Sequence, residues 1–550
     1  MVKAVAALGA VLATLGVVSG CSTDNTPPTI NYVVDAKISS YNANTVDGNA
    51  DGVLMATTRV LPGFSLLGDA GQVTPDRDIG TVTQEAGARL TLKYVFTEQA
   101  AFSDDMPLDC DDLVLAWAAM SGKFAGFTPA TTAGYRDIDD VACNAGDKSA
   151  TVTFASGRDY RDWLSLFGAG TMLPAHVVAR EAGIADVIAP IRAMNRPVIE
   201  RIAKAWNSGF TLATSELDAA RFPASGPYRI ASRFADGGVE LVRNDKWWGD
   251  APEVSRIMII DRGTDATRRL TDADFDVADV TAGMTEADDV GARAPAQALA
   301  VEGLVLSGKG VFADVRLRRA FASCVPRNAL ARSFGQGAQM WNMRTLAPGD
   351  SLAGAINGEF GRGYLRTDTE RTKSLLAEVA AADGRPARRT VRVGYLAPTP
   401  RWQQMVAAIN DSCRPAGITV TDASAETTGP GSLGATADAL LVANGASFAA
   451  AGAADPIRDA YQLRSGDPLD LSGFRSVRAN EAIDELAVAS LESERLGLVR
   501  TIENAAWEQV PSIPLFAAPR VQRWNDRVGS VVAGLGRNGT GWNMDRWTLT

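Results

Sequence analysis

The chain begins with a segment that is expected to be removed before anything folds. Met1-Val2-Lys3 supplies a charged start, a small and apolar run follows to Val18, and Ser19-Gly20 stand directly ahead of Cys21. The run has the length of a secretory signal and falls short of the ~20 apolar residues that cross a bilayer. Cleavage before Cys21 would leave that cysteine as an acylated N-terminus, so the fold is expected after residue 20 and outside the cytoplasm. A plain secretory signal with an incidental Cys21, or an uncleaved anchor, accounts for these flanks less well.

Removing the first 20 of the 550 residues leaves a large chain, and 21–28 form a polar, proline-containing tether. With 46% hydrophobic and 21% charged residues, the remainder can bury the cores of two or more domains. No second stretch approaches the length of a membrane helix. The formal charge of −10 argues against a nucleic-acid partner, which would require a basic face.

Four further cysteines, Cys110, Cys143, Cys324 and Cys413, suit an oxidising compartment and suggest two disulfides. Three pairings exist; Cys110 with Cys143 and Cys324 with Cys413 is favoured, because each then closes within one region of the chain. None lies in a C-x-x-C pair, so a zinc site is disfavoured and no metal is expected. His176 is the single histidine. An HExxH zinc site is therefore ruled out, no G-x-S-x-G elbow is present, and Gly308-Lys309 lacks P-loop spacing. The run Asp272-x-Asp274-x-Asp276 lacks the glycine and closing glutamate of a calcium loop and reads as a solvated edge. No catalytic residues and no cofactor are expected.

Periodicity predicts strands at 30–35, 90–96, 150–154, 239–243 and 390–395. It predicts helices starting near Leu113, after capping aspartates, and over 317–334, 369–381 and 401–413. Strands before residue 300 are separated mostly by turns, and those after 310 alternate with helices. This implies a mixed α/β protein with two lobes. The Ala/Gly-rich stretch 429–454 reads as a loop or as a tight backbone pass beside a ligand.

Local signatures in order carry a resemblance. Tyr94-Val95-Phe96, the turn Phe102-Ser103-Asp104-Asp105-Met106-Pro107-Leu108 and the helix after it come first, then Met172-Leu173-Pro174-Ala175-His176. Next come Ala224-Ser225-Gly226-Pro227-Tyr228, Leu241-Val242-Arg243-Asn244 with Trp247-Trp248, then Phe312-Ala313-Asp314-Val315-Arg316, and finally Pro511-Ser512-Ile513-Pro514-Leu515-Phe516. Over nearly the whole mature length this resembles the extracytoplasmic solute-binding proteins of ABC importers, peptide- and nickel-binding family. On physical grounds these residues are scaffold: a tight turn, a packed aromatic corner and an arginine-rich helix face in solvent. His176 likewise reads as structural.

The resemblance implies an α/β, two-lobed Venus-flytrap fold of the large peptide-binding type. Lobe I would span 29–300 with an extra subdomain at about 60–210, lobe II 301–504, and 505–550 would return to lobe I. The implied function is a lipid-anchored, monomeric binding subunit that captures oligopeptides or peptide-like solutes and delivers them to a permease driven by a cytoplasmic ATPase. Cys21 would carry the lipid. Family position places Tyr41, Asn42, Trp341, Asn342, Arg344, Asn444, Phe448 and Asp455 at the ligand. Where such proteins hold a peptide ammonium with an aspartate in a "W-x-x-D-x-x-x-P" stretch, this chain lacks the tryptophan and offers Asp455 directly before Pro456. A second reading keeps the fold but assigns a role through protein contacts in cell-envelope assembly, as in actinobacterial relatives connected with mannolipid biosynthesis.

Overall fold

The computed structural model describes residues 28–34, 37–50, 53–212, 217–235, 237–284, 296–350, 352–444 and 459–550. A ten-stranded sheet runs through the molecule. Its order is Ile418–Asp422, Arg389–Gly394, Ala439–Asn444, Ala296–Leu306, Ser512–Trp524, Val277–Thr281, Thr29–Val34, Arg256–Ile260, Val239–Arg243, Tyr228–Arg233. The first three strands are mutually parallel and belong to the C-terminal half of the chain. The last five come from the N-terminal half. Two long antiparallel strands, Ala296–Leu306 and Ser512–Trp524, join the halves, which gives the two-lobed α/β fold.

Central strands are apolar on both faces because both faces are covered. In Val277–Thr281 every residue is buried, including Asp279. That carboxylate is satisfied by the chain's final segment: it pairs with Arg520 and accepts from Gln522 Nε2 at 2.9 Å, the Thr540 backbone N–H at 2.6 Å and Thr540 Oγ1 at 2.9 Å. The C-terminal residues are thereby tied back to the N-terminal half.

The subdomain is a four-stranded antiparallel sheet ordered Gly80–Glu85, Thr91–Phe96, Ser149–Phe154, Ile138–Ala142. Leu92, Tyr94 and Phe96 alternate inward as the sequence pattern predicts. The helix Cys110–Met120 begins three residues earlier than periodicity suggested, because Asp109 and Asp112 form a reciprocal capping box. Asp112 also accepts the Ala175 N–H at 2.8 Å, coupling this helix to the next one, Ala175–Ala182.

Pairing joins Cys110 to Cys143 and Cys324 to Cys413, as favoured from the sequence. The expected helix over 317–334 is two helices, Val315–Cys324 and Arg327–Phe334. Pro326 explains the break: it lacks an N–H and drives Val325 to extended geometry (φ −65°, ψ 122°). The arginine-rich start of the first helix is not simply a solvated face. Arg318 Nε donates to Gln509 O at 2.7 Å and Arg319 Nε to Glu508 O at 2.9 Å, capping the helix Glu492–Gln509.

Gly226 and the tryptophan pair are scaffold. A Cβ on Gly226 would lie 2.3 Å from Arg59 O, so the chain passes there only without a side chain. Trp247 and Trp248 pack ring to ring at 4.5 Å, with Trp248 Nε1 on Asp78 O at 2.7 Å.

Candidate interlobe cleft

Both walls of the principal cleft follow the C-terminal ends of parallel strands, where an open α/β sheet leaves its crevice. One wall is the chain after Thr29–Val34, from Lys37 to Gly48, with Thr128, Asn207, Arg233 and Asp261 beside it. The other is the turn from Glu426 to Ser432 after Ile418–Asp422, with Leu471. Two connected compartments of about 540 and 480 Å³ share Ser39, Asp47, Pro430 and Gly431. The lining combines apolar surface with charges of both signs, Lys37 and Arg233 facing the same space as Asp47, Asp261 and Glu426. Asp261 holds the wall in place by accepting the Ile38 N–H at 3.1 Å, and burial pushes its carboxyl above the ordinary range.

The halves also meet away from the mouth. Asp467 Oδ2 accepts from the Thr132 N–H at 3.1 Å and from Thr132 Oγ1 at 2.6 Å. Arg158 Nη1 donates to Asp484 O at 2.7 Å, and the Arg161 N–H to Ala487 O at 2.9 Å. These contacts hold the subdomain against the C-terminal half. Asp467 is enclosed, and burial raises its carboxyl to about 6 against the hydrogen bonds from Thr132 and Leu469.

Behind the 42–50 segment lies a partly open cavity of about 80 Å³. Arg537 reaches it from the glycine-rich segment Gly534-Leu535-Gly536-Arg537-Asn538-Gly539, and Asn49, Tyr135 and Tyr160 are among its walls.

The residues expected at the ligand from family position fall into separate places. Tyr41 and Asn42 are fully buried in the N-terminal half; Tyr41 Oη donates to Pro223 O at 2.7 Å and Asn42 Nδ2 to Trp206 O at 2.9 Å. Trp341, Asn342 and Arg344 lie in the interior of the C-terminal half. Trp341 Nε1 donates to Leu346 O at 2.9 Å, and Asn342 Nδ2 to Asn357 O at 3.0 Å. Arg344 pairs with Glu503 at 3.1 Å and stacks 4.4 Å above the Trp507 ring. The side chains of these five are therefore committed to internal partners, and the first two do not meet the other three. Asn444 ends the strand Ala439–Asn444 opposite Val301. Phe448, Asp455 and Cys21 lie outside the described residues.

His176 has partners within its own half: Nε2 sits 3.0 Å from Asp104 Oδ2, and the ring packs on Phe102. Burial opposes ionisation of Asp104, and the hydrogen bond and charge of His176 more than offset it, so this carboxyl lies below the usual range. Sequence reasoning did not find Arg537. Its one local signal was an arginine set among glycines in the final segment. Of the cleft wall it flagged the start of the Ala/Gly-rich stretch 429–454 and, through Tyr41 and Asn42, the early loop, but not the side chains of that loop that face the space.

Known proteins place this geometry. Residues 88–456 match the bacterial extracellular solute-binding proteins, family 5 Middle. An uncharacterized lipoprotein of Mycobacterium tuberculosis is 38% identical over 94% of this chain and 93% of its own. The Haemophilus influenzae OppA complex with the peptide RPPGFSPFR superposes with a TM-score of 0.74 at 15% identity, covering 96% of this chain and 99% of that one. The Bacillus subtilis oligopeptide-binding protein AppA, in complex with a nonapeptide, superposes with a TM-score of 0.73 at 13% identity over 95% and 99%. The profile match, the 38% relative and the two-lobed sheet agree: the chain belongs to the family 5 bacterial extracellular solute-binding proteins.

Proposed function

We propose that this protein is the lipid-anchored substrate-binding subunit of an ABC importer and that it captures a peptide or peptide-like solute between its lobes. The observation that carries this reading is the cleft of mixed polar and apolar surface between 37–48 and 426–432, whose walls come from opposite halves of the chain. Closure of such lobes completes ligand contacts and expels water, so a permease can distinguish loaded from empty receptor. The moving bodies would be 29–300 with 505–550, and 301–504. The peptide complexes of the OppA and AppA neighbours support the solute class. Acylation of Cys21 would hold the receptor near its permease and raise its effective concentration there.

The test is native mass spectrometry of protein purified from its own host, followed by calorimetry with the retained compound. A ladder of peptide masses is the expected result. An empty cleft, or a retained glycolipid, would remove the peptide assignment and favour the role in envelope assembly.

A further inference from the structure

We infer that the cavity beside Arg537 is a subsite for a carboxylate-bearing group of the captured solute. This rests on the solute-capture reading and names the chemistry of one end of the ligand. Arg537 is 5% exposed and lines the cavity. Its Nη2 donates to Asn49 O, while Nη1 has no hydrogen-bond partner among the described residues. Asn49 is 7% exposed, lines the same cavity, and its Oδ1 is likewise without a partner among them. A buried donor on a guanidinium is costly to leave unmade, and a carboxylate is the acceptor its planar fork fits best. An N–H one or two bonds from that carboxylate would satisfy Asn49 Oδ1.

Electrostatics agree with this chemistry. Burial lowers the Arg537 pKa to about 10, with the charge of Asp459 opposing the shift, so the group is still a cation at neutral pH. The rest of the wall is largely apolar, with Leu54 and Met120 beside the rings of Tyr135 and Tyr160. One water needs roughly 10–15 Å³ of such space. The cavity of about 80 Å³ therefore admits a group of roughly five to eight non-hydrogen atoms. That is the size of one small amino-acid residue with its terminal carboxylate, or of a short branched acid. A peptide C-terminus and a free carboxylic acid share this chemistry.

Calorimetry separates the sources. The probes are isovalerate, Ala-Ala-Val and Ala-Ala-Val amide, titrated into the wild-type chain and into R537M, R537K and A169L. Ala169 lines the cavity, so A169L fills it without touching the charge. The wild type is expected to bind the free-acid peptide at least tenfold more tightly than the amide. R537M should lose at least tenfold for the free acid, R537K should retain part of the binding, and A169L should lose it with an unchanged melting curve. Isovalerate binding that depends on Arg537, without peptide binding, keeps the subsite and removes the peptide reading. Equal binding of free acid and amide to all four proteins keeps the peptide reading and overturns the subsite. Failure of both acids to bind the wild type also overturns it. If R537M does not fold, R537K and A169L decide.

Discussion

The interior of the C-terminal half contains an unbalanced set of charges, and its response to mutation can be worked out in advance. Arg327 and Arg344 are both fully buried and sit over the Trp507 ring at 5.1 and 4.4 Å. Among the described residues, the carboxylate that meets Arg344 is Glu503, itself 0% exposed, whereas Arg327 donates to Pro514 O, Trp341 O and Asn342 Oδ1. Glu503 Oε1 accepts from the Arg344 N–H at 2.5 Å, the Thr345 N–H at 2.8 Å and Thr345 Oγ1 at 2.9 Å, while Oε2 faces Arg344 Nη1 at 3.1 Å. In E503Q the amide oxygen can keep the three neutral donors, but its NH₂ then points at Nη1 and two buried cations remain without a counter-charge. Breaking a buried pair in this way costs about 3–5 kcal/mol. R344M is different, because it removes one of the two buried cations while Glu503 Oε1 keeps its backbone and hydroxyl donors. Its expected cost is about 1–3 kcal/mol, mainly the hydrogen bonds to Ser512. Urea unfolding at pH 7, followed by tryptophan fluorescence, measures both. If R344M proves as costly as E503Q, charge imbalance is not what governs this core.

Other outcomes follow from single contacts. Burial holds the Asp467 carboxyl near 6, above its value in an open or unfolded chain, so its contribution to stability is full below about pH 4 and is lost as pH rises through about 6. The wild type should therefore gain thermal stability relative to D467N as pH falls from 7 to 4; parallel melting profiles would contradict this. Cys324–Cys413 spans 89 residues and Cys110–Cys143 spans 33, so alanine pairs should cost roughly 4–5 and roughly 4 kcal/mol on the loop-closure scale. Denaturant midpoints of the two double mutants check the ranking, and the reverse order would show that loop length does not set it. G226A should cost at least about 1–3 kcal/mol, because its new Cβ meets Arg59 O at 2.3 Å. A wild-type melting curve for this variant would place the backbone wrongly at this turn.

Patterns local in the chain were readable before any coordinates. The alternation of Leu92, Tyr94 and Phe96 puts a strand on a half-buried sheet, and the aspartates at 109–112 announce a capped helix. The cysteine pairing followed from proximity in sequence. The helix at 317–334 was misjudged because its hydrophobic spacing continues across Pro326, while the backbone restriction imposed by that proline does not allow the turn to continue.

The site was less legible, since family position names a residue without saying which way it points. Trp341 and Arg344 have the chemistry to stack on a ligand and bind its carboxylate, yet Leu346, Glu503 and Ser512 already occupy those groups. Whether an arginine is a ligand anchor or a core cation depends on which acceptors surround it, and those acceptors come from 150 or more residues away.

The sequence by itself determined the class of molecule. Short-range periodicity, caps, turns and cysteines specify strands, helices and staples, and their order identifies a two-lobed solute-binding protein. Only the tertiary structure decided where a solute can be met. The strands Ala296–Leu306 and Ser512–Trp524 bring the segments 37–48 and 426–432 face to face, and the C-terminal return carries Arg537 behind the first of them. Those juxtapositions depend on long-range pairing, in which burial and unpaired hydrogen-bonding groups are properties of the assembled chain rather than of any local stretch.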